Sequence, residues 1–192
     1  VAATPAEMAQ LQWLYQADMR KMVVIPPGVD TCRFYPIPPD EAKEYIGVPP
    51  CGRMILFVGR IEPLKGLDVL LESIAHMRKQ DALGEYRFCL VVIGGEKETD
   101  SEMMSAEMAR IQALREQYGL QDLVAFLGKR GQDTLPYYYS AAEVVVVPSF
   151  YESFGMVALE AMACGTPVVA SQVGGLAYLV QDGVTGFTVP VD

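Results

Sequence analysis

The amino-acid sequence predicts an α/β fold with a doubly wound parallel sheet, on the basis of three observations. Short apolar runs rich in β-branched residues alternate with longer amphipathic stretches along the chain. Several of the short runs are continuously apolar, which is typical of parallel strands covered by helices on both faces. The 192 residues, 51% of them hydrophobic, are enough to bury one full core. Such alternation indicates a Rossmann-like domain, in which ligands bind at the carboxyl ends of the strands.

The elements follow from the periodicity of the apolar residues. A helix over 67–77 is predicted from apolar residues at i, i+3, i+4 and i+7, and a second helix over 104–118 from a looser form of this pattern. A third helix is expected to begin at Ser153 or Phe154 and to end at Gly165. The predicted strands are Met22–Ile25, Arg53–Gly59, Arg87–Ile93, Leu123–Leu127, Glu143–Pro148, Pro167–Ser171 and Gly186–Val189.

Three segments are expected along the chain. Residues 1–24 are interpreted as the remnant of a preceding domain, and the absence of an initiator Met predicts that the sequence begins inside a longer protein. Residues 25–52 carry too many prolines for a strand or helix interior, so they form a linker with a short helix at Asp40–Ile46. Residues 53–192 then form the Rossmann-like domain.

Composition excludes several classes of function. The formal net charge of −9 disfavours a nucleic-acid surface, which needs clustered Lys and Arg. No apolar run approaches the roughly 20 residues that cross a bilayer, and the start of the chain lacks the features of a signal peptide. A single histidine, His76, and the absence of a cysteine cluster disfavour a metal site, and His76 is expected at the surface.

The cysteines indicate a reducing compartment. No two of them have the C-x-x-C spacing, and two lie in apolar segments. We therefore expect buried, reduced thiols and a cytoplasmic protein. The four residues are Cys32, Cys51, Cys89 and Cys164.

The loop after the second predicted strand carries two cations. Arg60 and Lys65 follow Gly59 at the point where a strand gives way to a helix. A forked donor and a point charge beside free helix amides suit a diphosphate. Solvated surface cations are the alternative interpretation. The loop lacks the G-x-x-x-x-G-K-[ST] pattern of a P-loop.

The loop after Pro148 carries a helix start and two glutamates. If Ser153 caps the helix, the amides of the next three residues, Phe154, Gly155 and Met156, have no partner within the helix and favour an anion. Glu152 precedes this helix and either binds a ligand or only favours the helix N-terminus. Glu160 lies among apolar neighbours, where a glutamate is costly without a partner; a solvent-facing position is the alternative.

Two further strand ends complete the predicted edge. Gly94 and Gly95 permit close approach of a ligand to the backbone or simply a tight turn. Lys129 and Arg130 offer a basic edge, or again a plain turn. The sequence contains neither G-x-G-x-x-G nor G-x-S-x-G, which disfavours a dinucleotide dehydrogenase and a serine hydrolase.

Taken in order, these motifs resemble the retaining glycosyltransferase family 4, from about residue 22 to the end. The resemblance rests on Val24-Ile25-Pro26-Pro27-Gly28-Val29-Asp30, Gly59-Arg60, Lys65-Gly66, Gly94-Gly95, Pro148-Ser149, Glu152-Ser153-Phe154-Gly155, Glu160-Ala161, Gly165-Thr166-Pro167-Val168-Val169-Ala170, Gly174-Gly175 and Asp182-Gly183 with Gly186.

This resemblance implies the C-terminal, donor-binding half of a GT-B fold. It implies that Arg60 and Lys65 hold the diphosphate of a UDP-, GDP- or ADP-sugar, that Glu152 and the amides of Phe154 to Met156 bind the transferred sugar, and that Glu160 binds the ribose. Lys129 and Arg130 would border the base. No metal or other cofactor is expected.

The resemblance also implies a partner domain. The acceptor would be bound by an N-terminal domain of the parent chain, so this chain alone is expected to be inactive, and its uncovered apolar surface favours self-association. Contact of the parent with a membrane surface stays open. The alternatives are a non-catalytic nucleotide-sugar-binding or scaffold domain, and another enzyme class on a similar fold such as an epimerase or a phosphorylase relative.

Overall fold

The computed structural model describes residues 1–47, 52–80, 88–95 and 105–191. Within these residues six strands form one parallel sheet in the order β3-β2-β1-β4-β5-β6. The strands are β1 Arg53–Val58, β2 Phe88–Ile93, β3 Val124–Gly128, β4 Val144–Val147, β5 Val168–Ser171 and β6 Gly186–Val189. The order reverses between β1 and β4, so a crevice opens there at the carboxyl ends of the strands. The predicted Rossmann-like sheet is confirmed.

The described residues also contain seven α-helices and two short 3₁₀ helices. The α-helices are α1 Pro5–Tyr15, α2 Pro39–Ile46, α3 Leu67–Lys79, α4 Ala106–Gln117, α5 Leu135–Ala141, α6 Met156–Ala163 and α7 Leu176–Leu179. The 3₁₀ helices are Met19–Lys21 and Pro63–Lys65. The predicted helices near 40–46, 67–77 and 104–118 are confirmed, although residue 104 lies outside the described ranges.

One predicted strand is wrong. The segment Met22–Ile25 does not join the sheet; Val24 forms an isolated parallel bridge with Ala2. The Ala2 amide donates to the carbonyl of Val23 at 3.0 Å, and the Ile25 amide donates to the carbonyl of Ala2 at 2.9 Å. An apolar run of four residues satisfies the β pattern, but among the described residues its bridge partner is Ala2 and not a strand of the sheet.

Each face of the sheet carries its own core. One face packs against α2, α5, α6 and α7 through residues such as Leu56, Val145 and Tyr139. The other face packs against α3 and α4. Helix α3 buries Leu67, Leu70, Leu71 and Ile74. At about 1.5–3 kcal/mol for each large apolar side chain, this stripe alone fixes α3 beside the crevice.

The cysteines differ from the expectation of reduced thiols. Cys164 is free and buried, and burial raises its pKa to about 11. Cys32 is free but exposed. The expectation is wrong for Cys89, which is disulfide-bonded. Cys51 lies outside the described residues.

Two other expectations concern the surface and the membrane. His76 is exposed in the last turn of α3, and its ring Nε2 lies 2.8 Å from the side-chain Nε2 of Gln80, as expected of a surface residue. Across the ranges that the structure describes, no helix has the length and apolar character to cross a bilayer.

Candidate functional site

A cavity of about 420 Å³ opens at the carboxyl ends of β1 and β4, where the strand order reverses. Its lining brings together Arg60 and Lys65 from the loop after β1 with Glu152 and Gly155 from the loop after β4. The sequence predicted that these two loops converge, and they do. Gly59, Ser153, Phe154 and Met156 also line the cavity.

Direct backbone contacts hold the two loops together. The amide of Phe150 donates to the carbonyl of Leu64 at 2.9 Å. Gly66 lies in the left-handed region with φ 65°, and a Cβ at this position would overlap the carbonyl oxygen of Pro148. Only glycine combines this φ with so close an approach. The loop that carries Lys65 is therefore packed directly on the end of β4.

Lys65 and Glu152 form an ion pair inside the cavity. The Lys65 Nζ lies 2.7 Å from Glu152 Oε2, and the two side chains are 20% and 18% exposed. The sequence did not predict this contact, because the residues stand 87 positions apart. A partly desolvated lysine that already has a carboxylate partner is held in place and remains a donor for an anion, since an ammonium has three hydrogens.

Arg60 lies at the mouth of the same cavity. Its side chain is 76% exposed, and its Nη1 donates to Glu62 Oε1 at 2.7 Å. An exposed pair of this kind contributes little stability. The guanidinium is therefore free to exchange Glu62 for an anionic ligand at small cost.

The helix after β4 begins later than predicted. The prediction that Ser153 caps it is wrong, because α6 starts at Met156 and its N-cap is Gly155, with φ 107° and no side-chain cap. A Cβ on Gly155 would lie only 2.6 Å from Leu176 Cδ2, so the turn is fixed by packing against α7. The Phe154 amide consequently precedes the helix.

This late start leaves the first-turn amides without side-chain partners. The first helical amide bonded within α6 is that of Leu159, which donates to the carbonyl of Gly155 at 3.1 Å. The amides of Met156 and Val157, both of which line the cavity, have no partner inside the helix. They add partial positive charge to the wall that already carries Lys65.

The loop after β5 fixes the backbone of Glu152. The Gly175 amide donates to the carbonyl of Glu152 at 3.0 Å. A Cβ on Gly174 would overlap that same carbonyl oxygen. The pair of glycines in the sequence was the visible signal of this contact, although its partner could not be read from the sequence.

A second cavity of about 270 Å³ adjoins the first and shares Val58, Gly59 and Arg60 with it. Its remaining lining is Ile93, Gly94, Gly95, Lys129, Arg130 and Leu135. A Cβ on Gly94 would overlap the carbonyl oxygen of Gly59, so the backbones at the ends of β1 and β2 touch here. The predicted residues that follow β1, β2, β3 and β4 thus lie along one continuous cleft.

Arg130 and Lys129 differ in their freedom. The Arg130 guanidinium donates to the carbonyl of Leu127 at 2.6 Å and to the Tyr138 hydroxyl at 3.0 Å. These contacts fix it as part of the wall. Lys129 is exposed at the rim.

Glu160 lies below the cleft and is buried, with 9% exposure. The expectation of a partner is confirmed: Oε2 accepts a hydrogen bond of 2.8 Å from the Tyr139 hydroxyl. Burial raises the pKa of Glu160, and the Tyr139 hydrogen bond works in the opposite direction. Burial, together with the nearby Glu160 charge, also raises the pKa of Tyr139. Glu160 does not line either of the two cavities.

The family model for glycosyl transferases group 1 matches residues 40–192. The chain belongs to this family. The match spans all six strands of the sheet and every residue of the two cavities except Ala3 and Pro27, so the cleft described above lies within a group 1 glycosyltransferase domain.

Relatives and solved structures agree with this assignment. The chain is 45% identical over 98% of its length to the D-inositol 3-phosphate glycosyltransferase of Actinosynnema mirum, and it covers 44% of that protein. Sucrose-phosphate synthase of Thermosynechococcus elongatus superimposes with a TM-score of 0.83 at 39% identity, over 98% of this chain and 44% of that chain.

A third similar protein has been solved with ligands. The HepE protein of Anabaena, in complex with UDP and glucose, superimposes with a TM-score of 0.81 at 26% identity, over 98% of this chain and 48% of that chain. The group 1 glycosyltransferase chain thus spans less than half the length of each of these proteins.

The structure unites most of the predicted site residues and adds two features. Twelve of them line the cleft; Glu160 does not. Sequence reasoning missed the Lys65–Glu152 ion pair and the role of Tyr139 as the partner of Glu160. In the described part of this domain, no group of three or more His, Cys, Asp or Glu is placed to hold a metal ion.

Proposed function

We propose that the chain binds a nucleoside-diphosphate sugar in the cleft and serves as the C-terminal, donor-binding domain of a retaining glycosyltransferase. The observation that carries the proposal is the convergence of two cations, one carboxylate and an uncapped helix start on one cavity of about 420 Å³. Small-molecule sites typically have volumes of about 300–1,000 Å³. The likeness to HepE, solved with UDP and glucose, supports the same choice of ligand.

In this proposal the diphosphate lies against Lys65, Arg60 and the first-turn amides of α6. Lys65 keeps one hydrogen bond to Glu152 and gives another to a phosphate oxygen. Negative charge develops on the diphosphate as it leaves the sugar. Cations and amides that are already in position stabilise that charge without reorganisation, which is the main catalytic contribution of the domain. They perform the neutralisation for which other enzymes use a metal.

The transferred sugar lies beside Glu152. A carboxylate accepts hydrogen bonds from sugar hydroxyls and has four lone-pair sites, of which Lys65 occupies one. The backbone from Ser153 to Met156 lines the same part of the cavity. Because the Glu152 backbone is held by Gly175, its carboxylate presents a fixed acceptor to the sugar.

The nucleoside extends into the second cavity. Gly94 and Gly95 let the base approach the backbone closely, and Lys129 and Arg130 border it. Although Glu160 lines neither cavity, its Oε2 alone is bonded to Tyr139, and we assign its other oxygen to the ribose hydroxyls. We expect the base to be uracil, guanine or adenine.

The acceptor binds elsewhere in the full-length protein. Since the chain spans 44% of the length of its glycosyltransferase relative, we assign acceptor binding to an N-terminal domain that closes over the cleft. Helix α1 buries no residue of its own and exposes Trp13, Leu14 and Tyr15, which suits contact with that domain or self-association of the chain. We propose a cytoplasmic location on the free thiols of Cys32 and Cys164, with the disulfide-bonded Cys89 as the exception.

Calorimetry tests donor binding directly. The chain is titrated with UDP, GDP and ADP and with a sugar nucleotide of each base, and saturable binding is expected in one base series. Lys79→Ala is the matched control for Lys65→Ala, because Lys79 is exposed at the opposite end of α3. Absence of binding to every ligand at millimolar concentration contradicts the proposal. Donor binding without sugar transfer by the full-length protein would instead favour a scaffold domain.

A further inference from the structure

The Glu160 carboxylate is held by one oxygen only. Oε2 accepts the hydroxyl of Tyr139, whose side chain is fully buried with 0% exposure. Among the described residues no group donates to the other oxygen, Oε1, and Oε1 is not one of the buried polar atoms that lack a partner. Oε1 is therefore accessible and keeps its capacity to accept hydrogen bonds.

The Tyr139–Glu160 contact lies one helical turn below the cleft. On α6, Glu160 follows Met156 by four residues and Val157 by three, and both of these line the first cavity. On α5, Tyr139 follows Leu135 by four residues, and Leu135 lines the second cavity. Residues three and four apart share one face of a helix. Glu160 and Tyr139 therefore each lie one helical turn from the lining, Glu160 from that of the first cavity and Tyr139 from that of the second.

Tyr139 itself is immobilised from two sides. Its carbonyl accepts a 2.7 Å hydrogen bond from Thr166 Oγ1 in the buried segment that leads into β5. Its ring packs against Phe34 with the centroids 6.1 Å apart and the planes tilted by 56°. The next residue, Ser140, accepts the amide of Ile37 at 3.2 Å. A ligand-binding group whose supporting residues are locked in this way is preorganised.

We propose that Tyr139 is a positioning residue for the ribose of the bound nucleotide. Its hydroxyl holds Glu160 Oε2, which leaves Oε1 to accept hydrogen bonds from the ribose hydroxyls. This inference rests on the proposed donor binding. Tyr139 does not touch the ligand in this proposal, but it determines how much more tightly the site binds a ribonucleotide than the same nucleotide without ribose hydroxyls.

Ribose discrimination is the property to measure. The dissociation constants of UDP, GDP and ADP are each compared with that of the dideoxyribose analogue of the same nucleotide. The wild-type chain is expected to prefer the ribonucleotide by at least about tenfold, as for a hydrogen bond to a charged group. Tyr139→Phe is expected to bring the ratio close to one while the affinity for the dideoxy analogue stays the same.

Tyr137→Phe is the matched control. Tyr137 lies on the same helix, and its ring stacks on Tyr45 at 3.8 Å rather than facing Glu160, so the ratio should not change. An equal loss of affinity for both ligands in Tyr139→Phe indicates a purely structural role and overturns the inference, as does an unchanged ratio. A wild-type ratio of one overturns it while leaving donor binding intact. Absence of all nucleotide binding defeats the proposed function itself.

A second measurement needs no substitution at Tyr139. NMR of the wild-type chain with isotope-labelled tyrosine reports on the Tyr139 hydroxyl, assigned by comparison with Glu160→Gln. Binding of the ribonucleotide is expected to shift the Tyr139 resonance, and binding of the dideoxy analogue to shift it much less. Equal shifts with both ligands, or no shift with either bound ligand, overturn the inference.

Discussion

Replacing Lys65 by alanine removes the cation that the structure holds deepest in the cleft. Lys65 Nζ lies 2.7 Å from Glu152 Oε2, and both side chains are about four-fifths buried. The substitution therefore does two things: it deletes a donor to the diphosphate, and it leaves a carboxylate without its counter-ion in the cavity that receives an anion.

The size of the effect follows from these two losses. A hydrogen bond between charged groups contributes about 1.5–3 kcal/mol, so loss of the donor alone weakens nucleoside-diphosphate binding roughly 10- to 150-fold. The unpaired Glu152 adds repulsion. The double variant Lys65→Ala with Glu152→Gln should therefore recover part of the loss, which is the signature of the ion pair.

Isothermal titration calorimetry at about 0.15 M ionic strength measures both losses, because exposed charges are screened there beyond about 8 Å while the ion pair is screened less. Lys79→Ala provides the control for the loss of one positive charge from the chain. An affinity of Lys65→Ala equal to that of the wild type removes Lys65 from the site. A double variant no better than the single one shows that Glu152 does not oppose the anion.

Three further predictions follow from the contacts described above. Glu152→Gln should bind a free nucleoside diphosphate about fivefold more tightly, since the Glu152 carboxylate no longer competes with the diphosphate for Lys65, at about 1 kcal/mol. The same variant should bind the sugar nucleotide less tightly, and calorimetry with both ligands measures these opposite changes in affinity. Gly66→Ala should lower the free energy of unfolding by about 2 kcal/mol more than Gly183→Ala does. Both glycines have a positive φ, but of the two only Gly66 would bring a Cβ against a carbonyl oxygen. Denaturant unfolding of both variants measures the difference. Burial raises the pKa of Glu160 in the folded chain above its ordinary value of 4.5, so between pH 4.5 and that raised pKa the folded wild type binds more protons than the unfolded chain and loses stability as pH rises. Glu160→Gln does not titrate, and its stability relative to the wild type should therefore increase as pH rises above 4.5. A pH-independent difference in urea unfolding would contradict this last expectation.

The sheet and the convergence of the two loops could be predicted because both depend on local pattern and topology. Continuous apolar runs specify parallel strands, and the reversal of strand order places the loops after β1 and β4 at one crevice. Arg60, Lys65, Glu152 and Gly155 therefore met where the sequence expected them. The residue types and their order along the chain were sufficient to predict that these four residues share one cavity.

The remaining contacts depend on tertiary packing that no local pattern records. Ser153 has the stronger intrinsic tendency to cap a helix, but Leu176 from another helix fixes the turn at Gly155. Tyr139 lies in a short helix of aromatic and small residues with no amphipathic period, and its partner Glu160 is 21 positions away. Pairings of this kind become visible only when the elements are packed.

Three backbone approaches have a consequence for how this cleft changes in evolution or by design. Gly66, Gly94 and Gly174 each bring one loop against a carbonyl oxygen of another, so the outline of the cleft is set by main chain touching main chain. Side chains such as Lys129 and Met156 face the opening without supporting that outline. Such side chains can be exchanged to suit a different base or sugar without changing the backbone around the cleft. A single methyl group added at any of the three glycines would instead force that backbone apart.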